Sequence, residues 1–84
     1  MSTPMRAKFV VTKVEALSDG SEKVFFSAVS KSTPYPEDGS DEDNTYAKYS
    51  PAANCDIWIA NPALRGKYEA GQKFYVDFTP VPAA

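Results

Sequence analysis

Apolar and polar residues alternate along four segments of the chain, and this period-two pattern predicts β-strands. The segments are rich in β-branched and aromatic residues, which favour strands, and they span residues 6–17, 23–30, 54–60 and 73–79. Strict alternation in the first segment would place one set of side chains on a common face, namely Val10, Thr12, Val14 and Ala16. In the third segment it would point Cys55, Ile57 and Ile59 to the core and Trp58 to the other face.

Turn residues between these segments indicate how the strands connect. Asp19-Gly20 follows the first segment and predicts a hairpin with a turn of the primed type, since glycine adopts positive φ freely. Asn61, Pro62 and Gly66 have the spacing of a cap, a first helical residue and a C-terminal stop, which predicts one short helical turn near residues 62–65. For residues 45–49 we favour a short strand over one helical turn capped by Asp43 or Asn44.

The predicted fold class is all-β: a small antiparallel sandwich or partly open barrel of four to six strands. Eighty-four residues make a single domain, residues 1–84. Within it, residues 1–5 are expected to be a loose leader. Residues 32–50 hold two prolines and five acids, and we expect them to be a long acidic connection.

The residue inventory argues against most enzyme chemistry. The chain has no His, so the Ser-His and Cys-His nucleophile pairs are excluded, as are His metal sites. Its single cysteine, Cys55, cannot form an intrachain disulfide, and we interpret it as a small buried hydrophobe. Asp56 and Asp77 are read as ordinary surface acids. We therefore expect a protein that is not an enzyme and binds neither a cofactor nor a metal. The N-terminal residues lack a secretory signal pattern, so we expect a cytoplasmic location.

Five carboxylates cluster in the acidic connection, and they are candidate partner-binding residues: Glu37, Asp38, Asp41, Glu42 and Asp43. Three interpretations stay open. The segment is a mobile solvated loop, a docking surface for a basic partner, or a calcium loop. The ligand order of an EF-hand is missing, which weighs against calcium.

The candidate partner-binding aromatic residues are Tyr46, Tyr49, Trp58 and Tyr75. Exposed Trp and Tyr side chains are typical of protein interfaces. A small β-barrel with such rings also binds single-stranded nucleic acid, and the phosphate contacts would then be Lys8, Lys13, Lys23, Lys48 and Lys73. A pI near 4.9 weighs against that reading. A chain this short, without disulfide or metal, also favours a homo-oligomer.

The second half of the chain resembles small bacteriophage-encoded proteins of unassigned function. The resemblance covers roughly residues 40–80 and rests on DEDNTYAKYSP, NPALRG and the terminal GQKFYVDFTP, which is similar to a GxxYYVDFTP signature. It implies a phage origin and the cytoplasm of a bacterial host, and it carries no catalytic residue.

Together these observations favour a non-enzymatic phage accessory protein that binds another macromolecule, such as a basic host protein. The alternatives are a single-stranded nucleic-acid-binding barrel and a structural or assembly component of the virion. No segment is long and apolar enough to span a membrane, so no membrane partner is expected.

Overall fold

A computed structural model describes residues 5–82, and these residues form four strands and one short helix. The strands are β1 (Met5–Ala16), β2 (Glu22–Ala28), β3 (Asn54–Ile59) and β4 (Lys73–Phe78), with a 3-10 turn at Pro62–Leu64. They lie in one antiparallel sheet of order β3-β2-β1-β4, which is not closed into a barrel. The all-β class, the four strands and the short helical turn are therefore confirmed.

The predicted leader is only partly described. Residues 1–4 lie outside the described residues, whereas Met5 already belongs to β1 and pairs with Phe78 of β4. Between residues 5 and 82 no helix is long and apolar enough to cross a bilayer.

The β1–β2 hairpin is confirmed, but its turn is not of the primed type. Leu17 brackets the loop: its N–H donates to the Ser21 carbonyl at 2.8 Å, and its carbonyl accepts from the Gly20 N–H at 3.0 Å. Gly20 has φ of 89°, whereas Tyr49 is the one non-glycine residue with positive φ in residues 5–82. A type I′ turn requires positive φ at both central residues, and Asp19 does not have it. The connection is a three-residue loop that ends in a left-handed glycine.

A β-bulge in β1 changes the face that is buried, and the strict alternation predicted there is wrong. Val11 pairs with Phe26 and Lys13 pairs with Phe25, so Thr12 is an extra residue on β1. Before the bulge, the buried side chains of β1 are Ala7, Phe9 and Val11. After it, Val14 packs against the core instead, since one inserted residue reverses the alternation.

One face of the sheet holds the core, and we call it the core face. Its buried apolar residues are Ala7, Phe9, Val11, Val24, Phe26 and Ile59. The connection from β3 to β4 brings Tyr68 onto this face, where its ring meets Phe26 edge-on, with 6.4 Å between centroids, and lies 5.5 Å from Phe74. The opposite face carries the charged residues of the strands, and we call it the polar face.

The two outer strands leave large side chains exposed. β3 is an edge strand, and its Ile59 is buried while Cys55 is half-buried. Ile57 was expected in the core but is 49% exposed, because it lies at the outer margin of the core face. Trp58, on the polar face, is 63% exposed.

The long connection between β2 and β3, residues 29–53, contains no helix or strand. The short strand predicted at residues 45–49 is therefore wrong. Those residues form a turn in which the Ala47 N–H donates to the Asn44 carbonyl at 2.9 Å. Thr45 bonds through both its backbone and its side chain to the backbone of Arg6, so its hydrogen bonds go to β1 without a ladder forming.

The hairpin glycine gives a direct test of the turn. Gly20→Val forces a β-branched residue into positive φ and places its Cβ 3.0 Å from Arg65 Nη1. We expect a loss of about 1–3 kcal/mol in the free energy of unfolding, measured by urea denaturation. Gly20→Asn is the matched control and should cost less, since Asn tolerates the left-handed region. Equal stability of the valine variant and the wild type would contradict the turn geometry.

Candidate functional site

The side-chain amide of Asn44 fills the gap where β1 and β2 separate. Val29 and Lys8 face each other there and keep one direct bond, from the Val29 N–H to the Lys8 carbonyl at 2.9 Å. The Lys8 N–H instead donates to Asn44 Oδ1, and Asn44 Nδ2 donates to the Val29 carbonyl, both at 2.8 Å. Asn44 is fully buried. Its amide therefore takes the place of a peptide group in the β-ladder.

The carboxylate of Asp41 holds this amide in place. One of its oxygens accepts hydrogen bonds from the backbone N–H groups of Asp43 and Asn44, at 3.0 and 3.1 Å. The other accepts from Asn44 Nδ2 at 3.3 Å. Asp41 is 4% exposed, so the expectation of a mobile, solvated segment is wrong at this residue. It is a structural carboxylate, because it satisfies backbone donors that would otherwise be buried without partners.

Three more acids of the segment are also engaged within the chain. Asp43 accepts a hydrogen bond from the Tyr75 hydroxyl at 3.0 Å and lies 3.4 Å from Lys8 Nζ. Glu42 pairs with Lys31 at 3.1 Å, and Asp38 accepts from the Ser40 N–H at 3.0 Å.

Hydrogen bonds also perturb two of these carboxyl groups. A bond from the backbone and side chain of Ser40 lowers the pKa of Asp38. The pKa of Glu42 is lowered by a bond from its own backbone N–H and then by Lys31. Glu37, the remaining acid of the five, is exposed, and its backbone carbonyl accepts the hydrogen bond of the Tyr49 hydroxyl. No group of three or more His, Cys, Asp or Glu in residues 5–82 could hold a metal ion.

Tyr46 and Tyr49 lie in the connection just after the acidic segment. The Tyr49 hydroxyl donates to the Glu37 carbonyl at 2.6 Å, and its backbone has φ of 63°. Its ring covers Gly39 so closely that a Cβ there would lie 2.5 Å from Tyr49 Cε2. Burial, and the nearby charge of Asp41, raise the pKa of Tyr46. The Tyr49 ring therefore shapes the connection, whereas Tyr46 is 37% exposed.

Trp58 belongs to a different group on the polar face, which we call the aromatic–lysine cluster: Lys13, Lys23, Phe25 and Trp58. Lys23 Nζ lies 5.3 Å from the Phe25 ring centroid and 5.7 Å from that of Trp58. Lys13 Nζ lies 5.6 Å from the Phe25 centroid. The indole N–H of Trp58 donates to Ser21 Oγ at 3.0 Å, which fixes the orientation of the exposed ring.

The lysines of the cluster are balanced by carboxylates. Lys13 pairs with Glu15 at 3.2 Å, and Lys23 pairs with Asp56 at 3.6 Å. The cluster and its ion-pair partners therefore carry no net charge. The cluster therefore presents aromatic rings to solvent, with the aliphatic stems of the lysines alongside them.

Tyr75 lies on β4, at the opposite edge of the polar face from Trp58. The Arg6 guanidinium is 4.7 Å from its ring centroid and makes two hydrogen bonds to Asp77, at 2.6 and 3.0 Å. The bond from Arg6 lowers the pKa of the Asp77 carboxyl. The structure thus brings Tyr75 together with Asp43 of the acidic connection, whereas Trp58 lies apart from both on the β3 side.

Sequence reasoning missed two residues of these sites. Phe25 lies between buried Val24 and Phe26 in β2, so its ring is on the polar face. Its place in the aromatic–lysine cluster depends on lysines from two strands, which the sequence does not show as neighbours. Asn44 follows three acids and has no sequence signal of burial.

Comparison with known proteins adds no family to this description. No family model matches the chain, and no curated protein and no solved structure shows significant similarity to it.

Two acids of the acidic connection, one buried and one exposed, test the role assigned to Asp41. Asp41→Asn would turn an amide donor toward the Asn44 amide, so we expect a loss of about 1–3 kcal/mol in the free energy of unfolding. Glu37→Gln is the control, with an expected change within about 0.5 kcal/mol, since that side chain is exposed. Thermal and urea unfolding would measure both. Equal stability of the two variants would contradict the structural role of Asp41.

Proposed function

We propose that this protein is a non-enzymatic binding protein that docks a protein partner on its aromatic–lysine cluster. The observation that carries the proposal is the exposure of Trp58, whose ring is fixed by Ser21 and flanked by Phe25. A rigid exposed tryptophan loses little conformational entropy on binding, and it buries a large area.

The local charge favours a protein over nucleic acid. Binding to phosphates depends on unpaired cations, whereas Lys13 and Lys23 already face Glu15 and Asp56. The acidic connection is a weaker candidate surface than its composition suggested, because most of its carboxylates bond within the chain. Glu37 and Glu42 remain exposed there and would suit the margin of an interface with a basic partner.

Origin and compartment belong to the same proposal. The resemblance to small phage-encoded proteins supports an accessory role in an infected bacterium, within the host cytoplasm. A non-enzymatic role is supported by the absence of His from the sequence and by the pairing of Asp56 and Asp77 with cations.

The test is partner capture from a bacterial lysate by immobilised wild type and Trp58→Ala. We expect the variant to retain about a tenth or less of the captured partner, as for an interface hot spot. Phe78→Ala is the control, since it removes another exposed ring, 49% exposed against 63% for Trp58, from the core face at the opposite edge of the sheet. It should capture as the wild type does.

Nuclease and salt identify the class of partner. Capture that survives nuclease and changes little between low and moderate salt agrees with the proposal. Capture abolished by nuclease, with a steep loss on adding salt, would replace it with nucleic-acid binding. Equal capture by wild type and Trp58→Ala would contradict the assigned surface.

A further inference from the structure

The outer edge of β3 presents unpaired backbone groups. Ala28 N–H donates to the Ala53 carbonyl at 3.0 Å, and these residues are opposite each other in the continued β2–β3 register. Because antiparallel strands direct alternate residues to alternate sides, Cys55, Ile57 and Ile59 also bond toward β2. The N–H and carbonyl groups of three residues therefore point away from the sheet: Asn54, Asp56 and Trp58.

Both faces of this edge carry a large exposed apolar side chain. Ile57 and Trp58 are consecutive, so one lies on the core face and the other on the polar face. A partner resting on either face would cover only one of them. A strand added at the edge would flank both and satisfy the outward backbone groups as well.

We propose that a second copy of this chain pairs its β3 antiparallel with β3 of the first, about a two-fold axis at Ile57. The two Ile57 side chains then meet on the core face. Asp56 lies opposite Trp58 of the second copy, and this pair exchanges backbone hydrogen bonds.

Other two-fold registers are less favourable for identifiable reasons. An axis at Asp56 sets two like charges directly opposite each other, which destabilises a strand pair. An axis at Trp58 sets Asn54 opposite Pro62, which has no N–H to donate and already belongs to the 3-10 turn. The axis at Ile57 avoids both conflicts.

The same axis extends the apolar core from one copy to the other. Val24 is fully buried and pairs with Ile57, so the row across the core face becomes Val24, Ile57 and the same two residues of the second copy. On the polar face, the two aromatic–lysine clusters become neighbours. The proposed dimer goes beyond the proposed function and does not depend on it.

Proline substitution tests this pairing at the backbone. Asp56→Pro removes an N–H that points outward, so the monomer should still fold while the second copy loses its bond. Tyr75→Pro is the matched control on the other edge strand. The Gln72 carbonyl accepts a hydrogen bond from Val11 of β1, and alternate residues of β4 bond to β1. The backbone N–H of Tyr75 therefore points away from the sheet. Sedimentation at micromolar concentration should give twice the 9.2 kDa chain mass for wild type and Tyr75→Pro, and the chain mass for Asp56→Pro.

A wild type of single-chain mass would overturn the proposal, and so would a dimeric Asp56→Pro. Far-UV circular dichroism checks that the proline variants keep their strands.

A cysteine pair decides the register if Asp56→Pro does not fold. In a Cys55→Ser background, Ile57→Cys would face its own copy at a non-hydrogen-bonded position, where Cα atoms lie about 4.5 Å apart and a disulfide can close. Oxidation should cross-link it into a covalent dimer. Trp58→Cys in the same background would be offset from its own copy and should cross-link far less. No cross-link at position 57, or equal cross-linking at both positions, would overturn the axis.

Discussion

The buried amide of Asn44 is the interaction on which this structure depends. It supplies a donor and an acceptor between Lys8 and Val29, where β2 leaves β1. Without it, two partly buried backbone groups would lose their hydrogen-bond partners, which costs more as water is excluded from them. The bridge also ties the long connection of residues 29–53 to the sheet, although that connection has no regular element of its own.

This bridge decides how the charges of the protein are used. Asp41 turns inward to orient the amide, and Asp43 is brought to Lys8 and Tyr75 at the β4 side of the polar face. Much of the charge of the acidic connection is therefore engaged in hydrogen bonds and ion pairs within the molecule. The β3 side of the polar face, with Trp58, is left exposed, and this is the surface on which we propose that a partner docks.

The sequence was sufficient to predict the strands, the hairpin and the helical turn, because period-two patterning and turn residues are local signals. It could not show the bulge at Thr12, because Val10 and Val11 are both apolar and fit either face. Nor could it show that β3 is an edge strand, since strand order depends on long-range pairing. The role of Asn44 could not be predicted for a similar reason, because its partners lie 15 and 36 residues away along the chain.

Amide hydrogen exchange at Lys8 tests the central role of Asn44 most directly. In the wild type this N–H should exchange as slowly as the core amide of Val11. In Asn44→Ala it should exchange at least about tenfold faster than in the wild type, beyond any change at Val11, because only local opening is then needed to expose it. Unchanged exchange at Lys8 in a folded Asn44→Ala variant would contradict this account.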